Sequence, residues 1–247
     1  MGLLRSLPYP ETSYACKEAA RHYARLGAST LILAVRNFEK GNAAKKDIET
    51  TAAKGTEIQV WQIDMARYDS VKAFAARVEA ELNRLDIFHA NAGLACAKFT
   101  TTEGNETSIT INVISTPSFL CPQFNTRPTV VITTSGANRN AKFPQKSEPE
   151  IFAALNTRTT QGAPTSRGSK GCVHGNESSS GEDDRKGSST LIHAVTQGAK
   201  SHGQYLADCK IDAPAPVRDG NKDVQDRIWR ELKEKLEAIQ PGVTGNF

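Results

Sequence analysis

A chain of 247 residues with 38% apolar side chains and 18 glycines carries enough apolar material for the core of one α/β domain. Its 31 basic and 27 acidic side chains leave a formal charge of +4, interspersed rather than blocked, which argues for an ordinary solvated surface and against a nucleic-acid-binding one. The 5 cysteines are widely spread with no C-x-x-C pair, so the sequence points to a reducing, cytoplasmic setting with neither a disulfide framework nor a metal site.

In chain order, "MGLLRSLPYP" is too poor in apolar residues for a signal peptide, and no apolar run exceeds "LILAV", so no membrane span is expected. Residues 17–27 suit a helix with Ala19, Ala20, Tyr23 and Leu26 on one face and Gly27 as a left-handed cap. "TLILAV" (30–35) is apolar on both faces, as a central parallel strand must be. A helix over 38–53, a strand over 57–65 and a helix from Tyr68 follow, the last with Val71, Phe74, Val78 and Leu82 in one stripe and Asp69 or Ser70 as its cap. "DIFHANAG" (86–93) and "PTVVITTSG" (128–136) read as further strands, with a polar helix or loop around 103–115 between them. Each gap between the early strands holds one helix, the mark of βαβ units and a parallel sheet. The stretch 161–187 is rich in Gly and Ser and has no aromatic residue, so it is read as unstructured. An amphipathic helix near the C-terminus places Val224, Ile228, Leu232 and Leu236 four apart.

In a doubly wound sheet, ligands sit beyond the carboxyl ends of the strands. The polar residues there are Arg36, Asp64, Asn91 with Gly93, and Ser135. These residues and their surroundings ("NAG" at 91–93, "DM" at 64–65, "TTS" at 133–135) resemble the short-chain dehydrogenase/reductase family in order and spacing. "LAVRNFEKG" (33–41) and "SHGQYLADCKI" (201–211) are similar to its retinol-dehydrogenase-like and fungal branches. The resemblance implies a Rossmann-like fold in one domain spanning 1–247. Its ordered nucleotide-binding part is about 17–136, with a low-complexity insert at 161–187 and a helical part over 188–240. It also implies hydride transfer between a nicotinamide and a small carbonyl or alcohol substrate, a place in secondary metabolism, and a homodimer.

Arg36 stands where the family selects its cofactor. A guanidinium there suits the 2′-phosphate of NADP, whereas NAD asks for a carboxylate; Lys40 would assist. By the same resemblance Asp64 faces the adenine, Asn91 and Gly93 the ribose, Ser135 the substrate oxygen, and Asn112 in "TINVIS" the proton path. The family's catalytic tyrosine has a lysine four residues later. Among the 5 tyrosines only Tyr68 has such a partner, Lys72, and that pair precedes Asn91, on the wrong helix. In the expected place stands "SRGSK", so Lys170 keeps the spacing while Ser166 replaces the phenol with an alkyl hydroxyl. The first strand and its glycine-rich turn also look removed between "LPYPETSYA" and "EAARHYARLG", which would leave an incomplete sheet of marginal stability. The alternative reading is therefore a catalytically inactive dehydrogenase-like scaffold or the product of a truncated gene.

Overall fold

The structure, a computed structural model, describes residues 2–6, 14–94, 98–119, 128–134, 143–157, 181–212 and 221–246. Its centre is a parallel sheet of β1 (Gly2–Ser6), β2 (Thr30–Val35), β3 (Glu57–Gln62), β4 (Ile87–Ala90) and β7 (Thr129–Ile132). The spatial order is β3-β2-β1-β4-β7. The chain winds outward from β1 through β2 to β3, then crosses to the other side for β4 and β7. The direction of winding therefore reverses between β1 and β4, where such sheets open a crevice.

The first strand is present, contrary to the sequence expectation. "GLLRS" fills the gap between β2 and β4, with Leu3 in register with Leu31 on one side and Ile87 on the other. Five residues without a β-branched side chain give little strand signal. What calls for them is the ladder itself, since β2 and β4 would otherwise turn unpaired backbone groups toward each other.

Alternate residues of the strands feed two layers, as their period of two requires. Leu31, Leu33, Val35, Ile58 and Ile87 pack under α1 (Tyr14–Arg25), α2 (Phe38–Glu49) and Leu191, Ile192 and Val195 of α7 (Gly181–Thr196). Ile32, Ala34, Trp61, Phe88 and Ala90 pack on the opposite face under Val71, Phe74 and Val78 of α3 (Tyr68–Glu81). Burying both faces explains why "TLILAV" reads as unbroken apolar sequence.

Helix α1 ends in the predicted glycine cap. Gly27 has φ 81°, and the Ala28 and Gly27 amides donate to the Tyr23 and Ala24 carbonyls, the two bonds of a Schellman motif. Leu26 lies outside the apolar face assigned to it, being 68% exposed at the helix end.

Two expectations need revision at the polar stretch and at α3. Residues 181–187, within the segment read as unstructured, form the start of α7, which its apolar second half anchors on α1 and the sheet; residues 158–180 lie outside the described ones. The N-cap position of α3 is Arg67, which makes no side-chain capping bond, so neither Asp69 nor Ser70 serves as the cap.

Beyond the sheet, a short hairpin of β5 (Thr101–Thr102) and β6 (Asn105–Glu106) leads into α4 (Thr107–Ile109), a π turn (Thr110–Ile114) and α5 (Ser115–Phe119). A third apolar cluster joins Ile114 to Phe152 of α6 (Ile151–Leu155) and to Leu232 and Leu236 of the C-terminal helix α8 (Lys222–Ile239). A hairpin of β8 (Tyr205–Ala207) and β9 (Lys210–Asp212) lies between α7 and α8.

Candidate functional site

Because the five central strands are parallel, their carboxyl ends share one edge of the sheet. Arg36 follows β2, Asp64 stands two residues beyond β3, Asn91 follows β4, and Thr133 follows β7. Adjacent strands lie about 4.8 Å apart, so these tips form one row in the order Asp64, Arg36, Asn91, Thr133, interrupted by the end of β1.

At the β2 tip, Asn37 is the N-cap of α2, its Oδ1 accepting from the Lys40 amide at 2.9 Å. Arg36 and Lys40 are both exposed, and the Arg36 carbonyl accepts from Gln62 Nε2 at 3.4 Å. Two cationic side chains thus flank the positive end of a twelve-residue helix, an arrangement suited to an anionic group. Gly41 sets how closely that helix approaches the sheet: a Cβ at this position would lie 2.7 Å from both Val35 Cγ2 and Val60 Cγ1.

Past β3, Asp64 is half-buried and shapes its own turn. Its Oδ1 accepts from the Ala66 amide at 3.0 Å, and its amide donates to Ser70 Oγ at 2.9 Å. Ser70, expected as a helix cap, instead ties the Asp64 turn to α3.

After β4, the half-buried loop of Asn91 and Gly93 is clamped by Asn112. Asn112 Oδ1 accepts from the Leu94 amide at 2.9 Å, and its Nδ2 donates to the Leu94 carbonyl at 2.8 Å. This two-point match between a side-chain amide and the backbone N–H and C=O of one residue leaves little room beside it, since a Cβ on Gly93 would come within 3.3 Å of Asn112 Oδ1. Asn112 sits in the π turn, where the Ser115 amide reaches back five residues to the Thr110 carbonyl. Insertions of this kind are frequent at functional sites. Ser115, fully buried, donates to the Met65 carbonyl at 2.7 Å and so joins the Asn112 helix to the Asp64 turn.

The structure therefore brings Asp64, Asn91, Gly93 and Asn112 into one linked set of loops, with Arg36 and Lys40 along the same edge. Ser135 and Lys170 lie outside the described residues; on that side the sheet is described as far as Thr134, and Thr133 Oγ1 is 3.4 Å from Nε2 of the buried His89. Tyr68 is no substitute for a catalytic phenol. Burial raises its pKa above the ordinary tyrosine value, and Lys72 pairs with Asp69 at 3.0 Å. Ser70 and Ser115 were missed as linkers because a hydroxyl that bonds a distant main-chain group leaves no pattern in sequence. Among the described residues no group of three or more His, Cys, Asp or Glu is placed to hold a metal, and no helix is long and apolar enough to cross a membrane.

A parallel, doubly wound sheet with polar strand tips along its carboxyl edge defines a Rossmann-like α/β protein. The family model for short chain dehydrogenases matches residues 16–141. The chain is 42% identical to the short chain dehydrogenase/reductase dmxR8 of Cryptosporiopsis sp. (strain 8999), over 99% of this chain and 98% of that protein. It therefore belongs to the short-chain dehydrogenase/reductase family. A further relative, the short chain dehydrogenase atnD of Emericella nidulans, is 34% identical over 60% of this chain and 55% of its own length. Among solved structures, an alcohol dehydrogenase from the archaeon Thermococcus sibiricus complexed with 5-hydroxy-NADP matches with 21% identity and a TM-score of 0.43, covering 56% of this chain and 60% of that one. The alignment with dmxR8 runs over 317 positions against the 247 residues of this chain, so about 70 of its positions stand opposite no residue here.

Proposed function

We propose that this chain is an NADP-dependent oxidoreductase exchanging a hydride between the nicotinamide and a small carbonyl or alcohol. It works as one cytoplasmic Rossmann-like domain that forms a homodimer, in fungal secondary metabolism. The observation that supports this most is the row of strand tips, in which Arg36 and Lys40 flank a helix N-terminus while Asp64, Asn91 and Asn112 lie on linked loops. Arg36 and Lys40 bind the 2′-phosphate, the feature that separates NADP from NAD. The Asp64 turn lies against the adenine, and Asn91 with Gly93 lines the ribose. Bound cofactor supplies the hydride. Ser135 orients the substrate oxygen, Asn112 fixes the loop after β4, and Lys170 provides positive charge beside the reacting carbonyl.

A second reading, an inactive scaffold from a truncated gene, is favoured by two specific features. The residues between β1 and α1, "LPYPETS", contain no glycine, so the usual glycine-rich cradle of backbone amides is missing from the sequence there. The hydroxyl four residues before Lys170 is that of a serine, a much weaker acid than a phenol of pKa about 10.

Titration with NADPH and NADH, followed by the fluorescence of Trp61 and Trp229, tests the first reading. Saturable binding that favours NADPH is expected, and absence of binding by either cofactor overturns it. Sequencing the transcript tests the second: an uninterrupted message encoding this chain removes the truncation, and a restored glycine turn establishes it.

A further inference from the structure

Asn105 is 7% exposed, yet every hydrogen-bonding position of its amide is used, and by four different parts of the fold. Its Oδ1 accepts from Lys235 Nζ of α8 at 3.0 Å and from Asn156 Nδ2, just past α6, at 2.9 Å. Its Nδ2 donates to Tyr68 Oη at 3.2 Å and to the Glu103 carbonyl at 3.1 Å. The ammonium can only donate, so it fixes which end of the amide is oxygen and commits the NH2 to Tyr68. Asn105 pairs with Thr102 across the β5–β6 hairpin, and Thr110 Oγ1 donates to the Thr102 carbonyl at 2.9 Å. Thr110 is fully buried and opens the π turn, two residues before Asn112. A relay of contacts thus runs from the C-terminal helix through the hairpin to the turn that clamps the loop after β4.

From this relay we infer that Lys235 is a positioning residue for Asn112, acting through Asn105, Thr102 and Thr110. The inference rests on the reading of the strand-tip row as the cofactor and substrate site. A π turn holds an extra residue, so the direction in which Asn112 faces depends on where the helix is pinned at its start. Low local dielectric strengthens such a chain when it is complete and makes each broken link costly. The same face of α8 also carries Arg227, which bonds to the Lys146 carbonyl at 3.0 Å, and Glu231, which accepts from the Ile151 and Phe152 amides. Arg227 fastens α8 to the segment before α6 without touching the relay, and so supplies a control.

The test uses the full chain, with the Asn112 side-chain NH2 identified in 15N spectra by its loss in Asn112→Asp. Lys235→Met is expected to speed hydrogen exchange of that NH2 by about tenfold or more, while Lys235→Arg preserves it. Arg227→Ala is expected to leave it within about twofold of the parent chain. Thr110→Val breaks the relay from its other end and is expected to act as Lys235→Met does, which keeps the inference testable if the methionine variant fails to fold. Unchanged exchange in both Lys235→Met and Thr110→Val overturns the inference, as does an equal effect of Arg227→Ala, the signature of general loosening of α8. NADPH titration of the parent chain is read separately: failure to bind refutes the proposed function while the exchange measurements still decide the relay.

Discussion

Replacing Gly41 by alanine sets two effects of known sign against each other. In an exposed helix the change is favourable by about 1 kcal/mol, because alanine restricts the unfolded chain. In α2 the new methyl would lie 2.7 Å from Val35 Cγ2 and from Val60 Cγ1, about 1 Å inside ordinary carbon–carbon contact. Both neighbours are β-branched and held in strands, so neither rotates away and the helix must lift. Overpacking of that kind costs about 1–3 kcal/mol, and subtracting the propensity gain leaves a net loss of about 1 kcal/mol. For a chain of this size the loss corresponds to a fall of about 2–4 °C in Tm. Lifting α2 also displaces Asn37 and Lys40, so NADPH binding should weaken alongside. A double-mutant cycle isolates the contact: Val60→Ala removes one of the two clashing methyls, and the pair should recover about 0.5–1.5 kcal/mol relative to additivity. A Tm for Gly41→Ala equal to or above that of the parent refutes the reasoning, since the close seat of α2 on the sheet would then not exist.

Other perturbations separate the remaining parts of the argument. Asn112→Ala strips both bonds from the backbone of the buried Leu94 and is expected to cost about 1–3 kcal/mol by denaturant midpoint. Arg36→Ala should weaken NADPH by about tenfold or more while leaving NADH nearly unchanged, as the loss of a charge-assisted phosphate contact requires. The folded-state pKa of Tyr68 lies above the unfolded value of 10.0, so its contribution to stability is complete below pH 10 and is lost as pH rises through the folded value. Chemical melts in Tyr68→Phe should therefore show less alkaline weakening than the parent. Ile132, 54% exposed on β7, the outermost strand on that side among the described residues, invites lateral pairing. Ile132→Lys is expected to change stability by less than about 0.5 kcal/mol and to raise the concentration at which the protein stays monodisperse in light scattering.

Periodicity carried the strands and helices that are long and apolar. "TLILAV", the stripe of Val71, Phe74 and Val78, and the buried Val224, Leu232 and Leu236 of α8 stand where the pattern put them. Strand β1 was illegible because two leucines in five residues are indistinguishable from a loop, and only the gap between β2 and β4 gives them a place. The start of α7 was hidden by its polar composition, since what anchors it is Leu191, Ile192 and Val195 farther along. Of the candidate site, the strand tips were readable because their position follows from βαβ alternation. The π turn was not, being defined by hydrogen bonding that reaches back five residues, which no residue type demands. Gly41 reads in sequence as a weak helix position, and its real role, closeness to Val35 and Val60, exists only after folding. The Asn105 relay spans 130 residues between its partners, a separation at which local pattern is silent.

The presence of β1 separates two properties that travel together in this fold: closing the sheet and holding a pyrophosphate. Closure needs only a strand in register, and Gly2–Ser6 provides it through backbone pairing on both sides. A phosphate grip needs backbone amides brought close by glycine at the turn that follows, and residues 7–13 contain none. Under the proposed function, selection of NADP over NAD resides with Arg36 and Lys40 at the tip of β2, one strand away from that turn. On that reading, lack of the grip lowers affinity for both cofactors by a common factor and leaves their ratio intact, because the 2′-phosphate contacts enter only one of the two binding free energies. The expected signature of this chain is weak binding with undiminished preference. A glycine-rich turn restored between β1 and α1 should tighten both cofactors in proportion; a ratio that changed with it would mean that discrimination depends on the pyrophosphate after all.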